Sequence, residues 1–516
     1  MKKKVMIYTA AGAAVYALLL AALTVSERAC PEAVIRTLGD AFWFSLVTMT
    51  TVGYGDLYPV SVVGRGIGFI FLLCSLGVLA ALVAAGAAVI RGRLLPLLRL
   101  RFWRKKQCWL FSEVNDMSRA LAQNLRARDP DCRLLFCDAE NQTVPMKNAL
   151  CLSRDVIQTA RIAADRGLRF SIILTKESAP QNDADAQALQ DLAAPIYCRG
   201  PETDALPQVR FFDGPECAAR QYWQRYPLAG AEERILLAGD GALARALLDQ
   251  AVLINCRVPF SRTEYHLFGG WEAYRSLHPA LRQVFDYEGK DTETDGMIFH
   301  REAWTDAHDL IARVDRIIFC ADTPEINAEN ALLLRRFYAS SARVYAAAPS
   351  LPALYTAFGL AEELYTPELV MKGALDARAR ALHAAYLDKT GGGTAWEQLS
   401  PFARASNRAA ADHLLTKLRL LLPEDPPDRV SPEACRLAAD RWHSLTDREP
   451  WRQCEHARWM RFHCLYNWQY GDKKDAALRL HPCLVPYAAL SEEERIKDDS
   501  AWEQIGSLEE KEEKLG

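Results

Sequence analysis

The sequence predicts a membrane α-helical domain, with two spans and a re-entrant helix between them. Two α/β Rossmann-like domains and an α-helical C-terminal domain follow. Three observations carry this prediction. The first ninety of 516 residues hold two long charge-free runs. The middle of the chain repeats short apolar strands followed by helical segments. The C-terminal stretch is rich in Trp, Arg, His and Asn at helical spacing. The implied division is 1–92 for the membrane domain, 93–106 for a basic linker, 107–230 and 231–388 for the Rossmann-like domains, and 389–516 for the helical domain. A net charge of -3 with 25% charged residues excludes wholesale disorder. It also argues against a nucleic-acid polymer as partner, which would demand a basic chain. Fourteen cysteines with no CxxC pair read as reduced thiols, not a disulfide framework.

Val5 to Val25 carries no charge over 21 residues. As a helix it reaches ~31 Å, the thickness of a bilayer's hydrocarbon core. Lys2–Lys4 give it the basic front of a secretory signal, but the run is long for one and a second run follows. That second run, Ile67 to Ile90, has 24 uncharged residues. Seven of the 16 residues from Arg91 to Lys106 are Lys or Arg. Basic flanks at both outer ends put both termini in the cytoplasm and the intervening segment outside. That linker can touch anionic lipid headgroups.

Between the runs, Ala41–Thr50 is aromatic-rich and too short to span. It is expected to re-enter the bilayer from outside, aiming its C-terminal dipole end at the midplane. Thr51-Val52-Gly53-Tyr54-Gly55-Asp56 follows as irregular backbone at membrane depth, tolerable only when protein surrounds it or it lines a water-filled path. Gly53 and Gly55 permit dihedrals that point successive carbonyls at one axis. Thr51 adds a hydroxyl oxygen at the inner end, and Asp56 sets a carboxylate at the outer mouth. Four copies would form rings of oxygen that replace the hydration shell of a potassium ion.

This stretch resembles the pore domain of two-span potassium channels over residues 5–90, and Thr51–Asp56 is that family's filter signature. The resemblance implies a homotetramer, potassium held at Thr51, Val52, Gly53, Tyr54 and Gly55, and the second span lining the inner vestibule. Gly77 and Gly86 are candidate gating hinges in that span, with close helix packing as the alternative for both. No arginine-rich helix precedes the pore, so voltage is not expected to be the main gate.

Gln107–Ser112, Met117–Arg126 and Arg133–Cys137 read as strand, helix and strand. The turn Ser112-Glu-Val-Asn-Asp-Met117 has no glycine, so a phosphate cannot reach its backbone. Asp138 is read as a strand-end residue, and Phe170–Thr175 as a further strand. The second unit opens with the better fingerprint, Gly239-x-Gly241-x-x-Ala244, between a strand from Ile235 and a helix. Gly239, Gly241 and Ala244 are candidates for phosphate binding at a helix N-terminus, with tight helix–sheet packing as the alternative. Arg316–Cys320 and Arg343–Ala347 read as later parallel strands, with two more around Asn255 and His266–Phe268. Following a pore, this pair is similar to the tandem regulator-of-potassium-conductance (RCK) domains of ligand-gated channels. The likeness, over about residues 107–385, implies a cytoplasmic assembly ring.

After the joint Lys389–Thr394, one block runs from Trp396 through Asn407, Arg408 and His413 to Lys417. Another runs from Glu455 through Arg458, Trp459 and Trp468 to Asp498. On a helix, Glu455, Trp459, Phe462 and Tyr466 share a face, and Arg458 lies near Glu455. These residues resemble the ryanodine-receptor repeat (RyR) domain over 394–505, which implies a helical ligand or interaction module. In the sharper reading Arg408, Lys417 and Arg458 meet phosphates, Trp459 and Trp468 stack a base, and Asn407, His413 and Glu455 read its edges. The alternative is that these residues define the fold. His456, His463, Cys464 and Cys483 match no familiar metal-ligand spacing.

The sequence therefore leads to a tetrameric potassium-selective channel of a prokaryotic plasma membrane, in contact with lipid. A nucleotide or other small anion in the cytoplasm gates it. No covalent cofactor and no catalytic residue are expected. A nucleotide sensor or scaffold with little conduction, or a membrane-tethered nucleotide-processing enzyme, is the alternative.

Overall fold

A computed structural model describes residues 2–89, 98, 103, 107–137, 144, 146–230, 232–291 and 293–506. Asp138 and most of the basic linker at 93–106 lie outside the described residues. The chain forms two units, Met1–Phe102 and Trp103–Gly516.

In the first unit the two charge-free runs form helices α1 (Lys2–Arg28) and α3 (Val62–Val89). Among the described residues no helix is long and apolar enough to cross a membrane. Many side chains of the two runs, from residues 2–11 and several of 76–90, are outside the described set. The aromatic segment forms α2 (Leu38–Met49), which Thr37 and Asp40 close with a reciprocal capping box. The three helices meet around Leu20, Leu23, Ile35, Ala41, Ile67 and Phe71. The Glu27 carboxylate is fully buried and accepts from the N–H groups of Val60 and Ser61 and from the Ser61 hydroxyl. A Cβ on Gly64 would stand 2.0 Å from that carboxylate, so only glycine lets α3 begin there. Phe42, Trp43, Leu46, Tyr54, Phe69, Leu72 and Leu73 are exposed on this unit. A soluble monomer does not carry so much apolar surface without something to cover it.

The second unit contains two six-stranded parallel sheets. The first is built from β1 (Cys108–Phe111), β2 (Arg133–Phe136), β3 (Ala149–Cys151), β4 (Phe170–Leu174), β5 (Ile196–Arg199) and β6 (Arg210–Phe212), in the order β3-β2-β1-β4-β5-β6. The second is built from β7 (Arg234–Ala238), β8 (Glu264–Phe268), β9 (Gly296–His300), β10 (Arg316–Phe319), β11 (Arg343–Ala346) and β12 (Thr356–Ala357), in the order β12-β11-β10-β7-β8-β9. Read from its own first strand, each is 3-2-1-4-5-6, the order of a doubly wound dinucleotide-type fold. All ladders in both sheets are parallel, and their middle strands are buried hydrophobic runs, as sheets covered on both faces require.

The two sheets share a device that the sequence reading missed. After β4 (Phe170–Leu174), the Asn182 amide accepts from the Lys176 N–H and donates to the carbonyls of Lys176 and Arg199. After β10 (Arg316–Phe319), Asn327 does the same with Ala321 and Ala347. Each asparagine follows a proline on the first turn of its helix and ties the end of one strand to the end of the next. The two domains thus share this device as well as their strand order.

One strand assignment is corrected. Asn255 is not in a strand: it caps the C-terminus of the helix Ala242–Ile254, and β8 is Glu264–Phe268. The short apolar stretch Ala251–Ile254 has no feature separating a strand from the end of a buried helix. The C-terminal helices pack on this helix. Ala409, Phe462, Cys464 and Leu465 share a core with Leu247, Leu248, Tyr265 and Trp271. A second core joins Ala379 and Leu382 to Trp396, Leu418, Trp442 and Trp502.

Candidate functional site

Segment Thr51–Asp56, the candidate filter, follows α2 directly. Thr51, Gly53 and Gly55 have φ of 61°, 59° and 76°, while Val52 and Tyr54 between them do not. Alternating positive and negative φ permits successive peptide planes to turn their carbonyls to one side. The N–H of Thr51 donates to the carbonyl of Thr48, and those of Val52 and Gly53 to that of Val47. Thr51 is β-branched, and at this φ it carries strain of about 1–3 kcal/mol, which the surroundings must hold in place. Trp43 Nε1 donates to Asp56 at 2.9 Å, and its ring stacks on Tyr54 with an interplanar angle of 5°. Asp56 thus ties the end of this segment to α2. Gly77 and Gly86 lie within the unbroken helix α3, and a Cβ on either would meet nothing within 4 Å.

In the first sheet the crevice above β1 and β4 is closed by side chains. The Ser112 hydroxyl accepts from the Thr175 N–H, and Asn115 donates to the Thr175 carbonyl while capping the next helix. In the second sheet the glycines are required by close approach. A Cβ on Gly239 would lie 2.6 Å from the Cys320 carbonyl carbon, and one on Gly241 2.1 Å from the Asp322 carboxylate. That carboxylate accepts from the N–H groups of Ala242 and Leu243 at 3.2 and 3.3 Å. It fills the position a phosphate would take at the head of the helix. Ala244 is buried against the sheet.

The candidate ligand residues of the C-terminal domain separate into three groups. His413, Lys417, Glu455 and Arg458 form one buried cluster. Lys417 Nζ lies 2.8 Å from Glu455, Arg458 Nε is 3.1 Å from both its oxygens, and His413 Nε2 meets the Cys256 carbonyl at 2.8 Å. Burial alone would raise the Glu455 carboxyl, but Arg458 and Lys417 hold it well below the usual carboxylate range. Burial pushes the His413 imidazole down to about 3, and the charges of Lys417 and Arg458 reinforce the shift.

Arg408 stands elsewhere, bonded to Asp376 at 2.8 Å and Glu202 at 3.1 Å, and Asn407 donates to Ala403 in its own helix. Burial opposes ionisation of Asp376, yet Arg220 and Arg408 hold its carboxyl at about 2. Trp459 and Trp468 gather round Met460, Leu484 and Phe402, with Trp468 stacked on Phe402 at 5.4 Å. The three proposed phosphate contacts are therefore not brought together. Among the others, His456 Nε2 meets the Val485 carbonyl and His463 Nδ1 that of Trp459, each serving the fold.

Arg408 also lines a polar cleft of about 820 Å³ shared by the two α/β domains and the helical domain. Glu202, Glu216, Asp249 and Arg245 are on its wall. Sequence reasoning missed Arg220, which is buried and joins Asp412 at 2.7 Å and Asp376 at 2.8 Å, tying the first α/β domain to the helical one. Nothing in the sequence pairs an arginine with carboxylates 156 and 192 residues away.

A family model described as "Ion channel" matches residues 4–91, and the "RyR domain" model matches 449–508. The chain therefore joins an ion-channel domain to two Rossmann-like α/β domains and a RyR domain. A voltage-gated potassium channel of Aeropyrum pernix is 37% identical over 62 residues, 12% of this chain and 21% of that protein. A voltage-gated potassium channel regulatory subunit of Rattus norvegicus is 42% identical over 48 residues, 9% of this chain and 10% of that protein. Among solved structures, the GsuK channel bound to ADP is 18% identical with a TM-score of 0.33, covering 67% of this chain and 90% of that one. A likeness at that score bears no argument.

Proposed function

We propose that the chain is the subunit of a homotetrameric potassium-selective channel in a prokaryotic plasma membrane, with both termini cytoplasmic and a cytoplasmic small-molecule gate. The observation that carries this reading is the alternating handedness of Thr51, Gly53 and Gly55, with the Val52 and Gly53 N–H groups turned back to α2. One chain offers a single file of carbonyl and hydroxyl oxygens. Four chains around an axis supply the cage that strips water from a monovalent cation. Lipid and neighbouring copies would cover the exposed aromatic and aliphatic residues of the first unit. A ligand in the cytoplasmic unit would shift the closed–open equilibrium by binding the two states with different affinity, acting on α3 through the basic linker.

Purified protein in planar bilayers, with potassium chloride on one side and sodium chloride on the other, tests this. The expected reversal potential lies close to that of potassium. Equal sodium and potassium permeability contradicts the proposal.

A further inference from the structure

A cavity of about 430 Å³ lies between the α/β domains and the C-terminal helices, and none of the candidate ligand residues considered above lines it. Its size suits a small ligand. Arg257, Arg419 and Arg441 stand on its wall, and none of its lining residues is Asp or Glu. Phe260 and Trp451 line the same space, with ring centroids 5.1 Å apart.

The charges are poorly compensated from within. Arg257 is 6% exposed, and its guanidinium donates to the carbonyls of Ala229, Gly230 and Glu232 and to the Thr263 hydroxyl, all neutral acceptors. A buried arginine held by neutral groups has given up hydration without gaining an opposite charge. Its Nε finds no acceptor among the described residues, and neither does Trp451 Nε1. Arg419 donates to the Pro427 carbonyl and forms one loose ion pair among the described residues, with the fully exposed Asp428 at 3.9 Å. Burial lowers the Arg419 guanidinium below its ordinary value, and the positive charge of Arg257 adds to that against Asp428 and Glu232. Two neighbouring cations thus border a mostly apolar space with no anion on its wall.

We propose that this cavity binds a small anion bearing a flat apolar ring, of mononucleotide size, with Arg419 and Arg441 on the anionic group and Phe260 and Trp451 on the ring. The inference deepens the ligand-gating reading and rests on it for any effect at the pore. Binding itself rests on the chemistry of the cavity. Segment 255–261 and the helix Leu414–Leu421 both line the cavity, so an occupant would bridge the α/β domain and the helical domain.

The test is calorimetric titration of the full chain in detergent with four probes: adenosine 5′-monophosphate, phenyl phosphate, adenosine and inorganic phosphate. At least one of the two ring-bearing phosphates is expected to bind tenfold or more tightly than adenosine and inorganic phosphate, with a change in Trp451 emission. Arg419→Gln and the exposed Arg441→Gln are each expected to weaken it about tenfold while leaving the melting temperature of the unliganded chain within 2–3 °C. Binding that both variants leave within twofold, or no preference for the ring-bearing phosphates, overturns the site. A ligand that binds as expected but leaves potassium flux unchanged removes the gating role and retains the site, so the two failures are distinct.

Discussion

Lys417 Nζ and Glu455 Oε2 lie 2.8 Å apart, both buried, on helices that meet only in the folded C-terminal domain. Arg458 completes the arrangement, and Lys417 also donates to the Ala501 carbonyl. One carboxylate therefore balances two buried cations. Glu455→Gln should cost about 3–5 kcal/mol, the range for stranding buried charge. Denaturant melts of the purified chain would show this, and a loss under 1 kcal/mol would mean the cluster is hydrated. Arg458→Ala should likewise weaken the fold, so lost ligand response in that variant alone would not locate a site.

The Asp322 carboxylate occupies the phosphate position at the head of the helix Ala242–Ile254. The wild-type chain is therefore expected to show no stabilisation by inorganic pyrophosphate at this turn. Asp322→Gly removes the competing anion and should bring a rise in melting temperature with pyrophosphate. An equal rise in wild type would mean that Asp322 swings away at no cost.

The same turn shows what could and could not be read from the chain. Gly239-x-Gly241-x-x-Ala244 announced strand, turn and helix correctly, because the spacing is a local property of one β–α unit. What fills the turn, Asp322, comes from the loop after β10, about 80 residues on, and local patterning says nothing of it. In the C-terminal domain the i, i+3 pairing of Glu455 and Arg458 was legible, since a helix imposes it. The third partner, Lys417, sits on another helix, and the separation of Arg408 from the cluster depends on which carboxylates, Asp376 and Glu202, the fold presents to it. The arginines of the cavity were invisible for the same reason: Arg257 and Arg419 are far apart in sequence and meet only across a domain boundary.

Three buried histidines make stability fall in acid. Burial, with His300 for His266, pushes His266 and His463 down to about 4, and His413 stands at about 3. An unfolded histidine titrates near 6.5, so the unfolded chain takes up these protons first. Their contribution is complete above pH 6.5 and is lost as pH falls from there toward 4, at up to about 1.4 kcal/mol per pH unit for each group. Asp498, raised to about 7 by burial and by Glu455, Asp249, raised to about 6 by burial, and Glu216, raised by burial, work in the opposite sense as pH falls. His456 and His481, also lowered by burial, act with the three histidines, so five groups oppose three. The melting temperature should drop steadily between pH 6.5 and 4.5, and His413→Asn should shallow that slope. A flat profile would contradict the buried, neutral state.

Gly64 admits the Glu27 carboxylate to the start of α3. Gly64→Ala should displace it, leaving the Val60 and Ser61 amides unpaired and loosening α1 from α3. Reduced oligomer yield on native gels, with Gly66→Ala unaffected because a Cβ there meets nothing within 4 Å, would bear this out. Equal yields for both variants would show that Glu27 is dispensable.

The central claim is that Thr51–Gly55 selects potassium. Rubidium-86 uptake into proteoliposomes loaded with potassium chloride tests it most directly. The account predicts uptake by the wild-type chain, abolished by external barium and absent in Gly53→Ala, where a side chain would be forced onto a φ of 59°. Wild-type uptake no greater than that of Gly53→Ala, or equal uptake of sodium-22, would contradict it.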